Sequence, residues 1–194
     1  MKGTSFLPAT APEFLEWERT AENKHEYFEG EILDFAGASF AHNRIVANLI
    51  REMGIFLKGK PCEILPGDMR VTTPNETVYM YPDAVIVCGL PKMSDDTFDT
   101  LKNPKVIFEV LSPSTALHDR VKKFKFYKLI PSFMEYVLID SRQLFAEVGR
   151  RQEDGSWDFV ATADPGGYLE ISSVRASIPL QEIYRKVFPA SQTI

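Results

Sequence analysis

Residues 106–115, VIFEVLSPST, set a glutamate in the middle of a run that otherwise reads as a buried strand. Val106, Ile107, Phe108, Val110 and Leu111 are the β-branched, aromatic and aliphatic types that fill central strands. A lone carboxylate there is costly to bury unless a cation pairs with it, a proton neutralises it or a metal sits beside it. SPST then supplies turn chemistry and hydroxyls able to cap a helix, predicted over 116–129. EYVLID (135–140) is a second apolar strand. A strand, a helix and a strand in that order predict a parallel crossover.

The rest of the chain fits around this unit. APEFLEWERTAEN (11–23) predicts a short helix behind a proline, and HEYFEGEILDFAG (25–37) a hairpin turning near Glu29-Gly30. Between Ser39 and Leu57, Ile45, Leu49, Met53 and Phe56 recur at helical spacing, so an amphipathic helix is expected. CEILP, DMRVTT and VYMYPDAVIVC read as strands, and PKMSDDTFDTLKNP (91–104) as a polar loop. LFAEVG, DFVATA and YLEIS are further short strands before a last helix, LQEIYRKVF. The expected class is α/β: a mixed β-sheet flanked by helices, in a single domain of 194 residues. Within it, 1–24 form a helical arm, 25–140 the core, and 141–194 the closing strands and helix.

A formal net charge of -5 gives no global attraction to nucleic acid or to an anionic membrane, so any such contact must be local. Cys62 and Cys88 form no CxxC pair and suggest no disulfide framework; both are expected as reduced thiols, Cys88 as a small buried hydrophobe. The start of the sequence lacks the apolar core of a secretory signal, and no run approaches a membrane span. A cytoplasmic protein with no membrane contact is expected.

Asp83 poses the same problem as Glu109. It follows Pro82 at the entry to AVIVC, and alternation puts Asp83, Val85 and Val87 on one face, as it does Ile107, Glu109 and Leu111. If the two strands are neighbours, both carboxylates enter one space, where a divalent cation would relieve their repulsion. On the helix after SPST, Asp119, Lys123, Phe126, Tyr127 and Ile130 share one arc, with Lys122, Lys125 and Lys128 opposite. Lys123 is thus the inward lysine, with Asp119 one turn before it as an i,i+4 partner. An aspartate, a glutamate and an inward lysine suit metal-assisted phosphodiester hydrolysis, with the Val110 carbonyl as an added ligand.

YPDAVIV, VIFEVLSPST and D-x-x-x-K with FKFYKLIPSFMEYVLID resemble the Uma-two family of bacterial restriction-endonuclease-type proteins, within the PD-(D/E)XK nuclease superfamily. The resemblance runs from about EYFEGEI (26–32) through AHNRIVANL (41–49) to the last helix. It implies a restriction-endonuclease-like fold and Mg²⁺-dependent DNA cleavage, with Mn²⁺ as a substitute and no small-molecule cofactor. Pro82-Asp83 matches the PD element and Glu109 the acidic residue of the second element. The superfamily's lysine belongs two residues later, where this chain has Leu111; in Uma-type sequences it comes from the following helix, here Lys123. Glu31, His42 and Asp68 match family positions and are expected around the site or facing DNA. A homodimer, two sites for two strands, is expected by analogy with restriction endonucleases.

Blander readings compete. Aspartate after proline often only caps a turn, and Glu109 could pair with an arginine, Arg70 being the candidate. Ser112 and Ser114 lack the G-x-S-x-G of a serine hydrolase. A glycosidase carboxylate pair would leave the inward lysine unexplained. No histidine metal cluster is expected from His25, His42 and His118. The rival function is a nuclease scaffold without catalysis, kept for nucleic-acid or protein binding; an assembly role for the late strands is weaker.

Overall fold

The computed structural model describes residues 8–34 and 37–188. The N-terminal segment expected to lack a secretory signal lies partly outside them, as does the end of the predicted 25–37 hairpin.

Pro12 in the first turn and a reciprocal capping box between Thr10 and Glu13 start helix α1, Ala11–Glu18, which ends five residues before the predicted limit. Strands β1 (His25–Phe28) and β2 (Glu31–Asp34) form the expected hairpin. Its two-residue turn has positive φ at both Glu29 and Gly30, the twist that suits a tight hairpin. Ser39 caps α2, Phe40–Leu57, by accepting from the His42 N–H. Ile45, Leu49 and Met53 are fully buried, and Phe56 is half-buried.

Three sheets follow. A five-stranded sheet runs in the order β2-β1-β5-β4-β7, with β4 Arg70–Thr72, β5 Val78–Met80 and β7 Thr100–Leu101. A six-stranded sheet runs β11-β10-β9-β8-β6-β3, with β3 Cys62–Pro66, β6 Ala84–Cys88, β8 Val106–Leu111, β9 Glu135–Asp140, β10 Ala146–Arg151 and β11 Trp157–Thr162. Strands β12 (Tyr168–Ile171) and β13 (Ala176–Pro179) form a two-stranded ribbon. Strand β8 pairs β9 in parallel, with Glu109 opposite Leu138, so the predicted crossover is present. Its helix contains a π-helical stretch, His118–Lys123, that continues into α3, Phe124–Tyr127.

The six-stranded sheet has an apolar core on each face. On one side Ile86, Phe108, Val110, Val137 and Ile139 pack against α2, the ribbon and α4 (Leu180–Ile183). On the other, Val85, Val87, Ile107, Leu111 and Leu138 meet α3 and residues of the five-stranded sheet. The predicted face assignment therefore holds, and Glu109 belongs to the second face.

Four local expectations are corrected. VYMYPDAVIVC is two strands in different sheets, because Pro82 removes a ladder donor and the chain changes sheet over Tyr81–Asp83. The 91–104 loop contains the two-residue strand β7, too short to carry a sequence pattern. The last helix stops as α4 at Ile183 and continues in turns. Cys62 and Cys88 are disulfide-bonded rather than reduced thiols, since antiparallel register sets them opposite each other on β3 and β6. The 26-residue separation hid this pairing from any local motif. Closing a loop of that length constrains the unfolded chain by about 3 kcal/mol. Replacing both cysteines with serine is therefore expected to lower the unfolding free energy by about that amount, measured by urea titration. An unchanged midpoint would argue against the cross-link in solution. Among the described residues, no helix is long and apolar enough to cross a membrane.

Candidate active site

The break between β5 and β6 places Asp83 at the junction of the two large sheets. β6 and β8 are antiparallel neighbours with Ala84 opposite Phe108, which brings Asp83 beside Glu109 and Val110. The Val110 N–H donates to Asp83 Oδ2 at 2.6 Å, and His42 Nε2 lies 2.9 Å from Oδ1. His42 reaches this point because Ser39 starts α2 three residues earlier.

Glu109 lies in the middle of β8 and is buried. Its Oε1 accepts from the Tyr127 hydroxyl at 2.9 Å and from Lys123 Nζ at 3.2 Å. Arg70, the alternative partner, is occupied elsewhere: it contacts Asp99 at 2.5 Å and donates to the Tyr81 hydroxyl and to Thr100. Lys123 points inward as the helical arc predicted and is also buried, while Lys125 and Lys128 are exposed. Its Nζ lies 2.8 Å from Glu26 Oε1 and 3.6 Å from Asp119 Oδ1, and donates to the Tyr81 carbonyl at 3.2 Å.

Glu26, Asp83, Glu109, Asp119, Lys123, His42 and His118 all line one cavity of about 280 Å³. Carboxylates outnumber permanent cations there, and the electrostatics follow. Burial pushes the Glu109 carboxyl well above its usual range; Lys123 opposes this, while Asp119, Asp83 and Glu26 add to it. Burial likewise raises Asp119 against the pull of Lys123. Burial alone would depress Lys123, but Glu109, Glu26 and Asp119 together hold its ammonium protonated. Burial would raise Glu26, yet Lys123, His118 and the Tyr81 N–H outweigh it and keep that carboxylate ionised. Burial would lower His42, and Asp83 overrides it upward. Lys123 thus has an ionised partner in Glu26, while Glu109 and Asp119 are the carboxyls whose charge is left poorly compensated.

Two residues expected around the site or facing DNA lie outside the cavity lining. Glu31 is exposed and pairs with Lys122 at 2.6 Å; Asp68 is exposed and pairs with Lys24. Exposed pairs of this kind contribute about 0–1 kcal/mol. Glu31→Ala and Asp68→Ala are therefore expected to change stability by less than about 0.5 kcal/mol, and any nuclease rate by less than about twofold. A tenfold rate loss in either would return that residue to the site.

The sequence reading missed Glu26, His118 in this setting, and Tyr127. Glu26 carried a usable signal. It shares a strand face with Phe28, and both are buried, so a carboxylate alternates with a core aromatic. His118 Nε2 stands 3.2 Å from Glu26 Oε2, a contact across 92 residues that no local pattern announces.

A family model described as "Uma2: Putative restriction endonuclease" matches residues 11–180. The chain is 36% identical over 166 residues to the uncharacterized protein sll1609 of Synechocystis sp., covering 86% of this chain and 94% of that one. It is 32% identical over 180 residues to slr1290 of the same organism, covering 92% and 93%. Its fold matches the crystal structure of "a putative nuclease belonging to DUF820" from Anabaena variabilis with a TM-score of 0.77 at 18% identity, over 93% of this chain and 100% of that one.

Proposed function

This chain belongs to the Uma2 family, and we propose that it is a Mg²⁺-dependent deoxyribonuclease that works through Asp83, Glu109 and Lys123. The observation that carries the reading is the convergence of these three side chains, from a sheet junction, a central strand and a crossover helix, in one cavity.

The donor set fits a hard divalent cation. Among the described residues no group of three or more His, Cys, Asp or Glu is spaced to hold a metal ion unaided. Mg²⁺ does not require one, since it commonly binds through one or two carboxylates and completes its shell with water and substrate phosphate. Asp83, Glu109 and the Val110 carbonyl would hold it, with Mn²⁺ as a substitute. Burial, with Asp119, Asp83 and Glu26 close by, raises the Glu109 carboxyl, so a cation held beside it would favour the ionised form. When bound, the ion supplies Lewis-acid polarisation of the phosphate and a lowered pKa for water.

The chain's own groups supply the rest. The Val110 N–H and His42 fix the orientation of the Asp83 carboxylate. Lys123, held protonated by three carboxylates, serves as a fixed positive charge for negative charge developing on phosphorus rather than as a base. Leu111 leaves the usual strand position of that lysine apolar, and the crossover helix delivers the ammonium instead. Two such chains as a homodimer would present one site to each DNA strand.

Supercoiled and single-stranded DNA incubated with the protein should be cut with Mg²⁺ or Mn²⁺ and left intact with EDTA. One observation favours a second reading, a binding module without catalysis: both Asp83 oxygens already have protein partners. That reading gains if DNA binds equally well with EDTA, binds equally to Asp83→Ala, and is never cut.

A further inference from the structure

We propose that Glu26 is a positioning residue for the reaction, the carboxylate that holds the Lys123 ammonium in the site while Glu109 is engaged by the cation; this rests on the nuclease reading above. Three elements meet at Nζ: β1 of the five-stranded sheet brings Glu26, β8 of the six-stranded sheet brings Glu109, and the π-helical turn brings Lys123 itself. Glu26 is the nearest of the three carboxylates, at 2.8 Å against 3.2 Å for Glu109 and 3.6 Å for Asp119.

Glu26 is itself fixed. Its Oε1 accepts from the Tyr81 N–H at 2.9 Å, and its Oε2 faces His118 Nε2 at 3.2 Å. The residue that receives Lys123 on its carbonyl, Tyr81, is therefore the same one that orients Glu26 through its N–H. A lysine on the strand beside the glutamate would be aimed by the strand. A lysine delivered from a helix is not aimed that way, and its four flexible carbons are ordered by contacts other than the metal ligands, here the Tyr81 carbonyl and the Glu26 carboxylate. The Asp119 carboxylate lies on the same helix as Lys123 and so does not fix the ammonium relative to the sheets; the Glu26 carboxylate, on β1, does. The two acids nearest Lys123 thereby divide the work: Glu109 faces the cation, and Glu26 keeps the lysine.

The test is a double-mutant cycle of Glu26→Gln and Lys123→Ala in Mg²⁺-dependent DNA cleavage, with Mg²⁺ affinity measured by calorimetry. Glu26→Gln should lower kcat by about 10–100-fold with KM and Mg²⁺ affinity within about twofold of wild type. The double variant should be no slower than Lys123→Ala alone within about twofold, because Glu26 acts through the lysine. Glu26→Asp, which keeps the charge, should recover part of the loss. Additive losses, or a Glu26→Gln protein that binds Mg²⁺ tenfold more weakly, would overturn the proposal. A second readout does not need cleavage: the Lys123 ammonium protons, assigned by their loss in Lys123→Ala, should give slowly exchanging NMR signals. These should vanish in folded Glu26→Gln. Their loss in a protein that cuts no DNA would leave Glu26's hold on the lysine standing while the nuclease reading falls. Their persistence would sink the positioning role.

Discussion

Lys123→Met is expected to reduce DNA cleavage by about 10²–10³-fold and to destabilise the fold by about 3–5 kcal/mol. Methionine keeps most of the side chain's apolar volume, so the loss isolates the charge. Removing one partner of a buried ionic cluster leaves the others uncompensated, and here three carboxylates face the vacated position. Glu26 and Asp119 are buried with Glu109, so solvent does little to screen their repulsion. In a chain of this size such a loss lowers the melting temperature by about 10 °C. Thermal unfolding of the variant checks the stability half, and single-turnover cleavage checks the other. A variant as stable as the wild type would mean that Lys123 is not the counter-charge of the cluster.

Glu109→Gln is expected to separate function from stability in the opposite sense. Cleavage should fall by about 10³-fold or more, because the substitution would remove a proposed metal ligand worth several kcal/mol of charge stabilisation. Stability should be unchanged or higher. Glutamine still accepts from Tyr127 and Lys123 through its amide oxygen, and the poorly compensated charge is gone. Lys123 retains Glu26 and Asp119 as partners. Calorimetry with Mg²⁺ alone should show weakened binding. An inactive Glu109→Gln protein that melts far below wild type would make Glu109 a structural acid.

How much of this was legible in the sequence depended on whether the cause was local. Glu109 stood out because its neighbours were all core types, and Asp83 because proline and an apolar strand flanked it. Lys123 was found by helical spacing, and its burial survived the π-helical turn in which it sits. The parallel crossover followed from element order. Glu26 escapes a sequence reading because a four-residue strand offers only one i,i+2 pair on each face, here Glu26 with Phe28, and hairpin chemistry already explains the segment. The Cys62–Cys88 bond arises from strand register, which spacing does not encode. Glu31 and Asp68 were named only on resemblance, and both stand on the surface outside the cavity. Expectations with a physical reason at the residue itself placed side chains well; contacts made across dozens of residues needed the fold.

The most direct measurement is the rate of Mg²⁺-dependent DNA cleavage by wild-type protein, Asp83→Ala, Glu109→Ala and Lys123→Ala, purified in parallel. The wild type should cut, and each variant should lose about 10²-fold or more of that rate. Wild-type protein that binds Mg²⁺ yet leaves every DNA substrate intact, or an Asp83→Ala or Glu109→Ala protein that cuts at the wild-type rate, would contradict the nuclease reading.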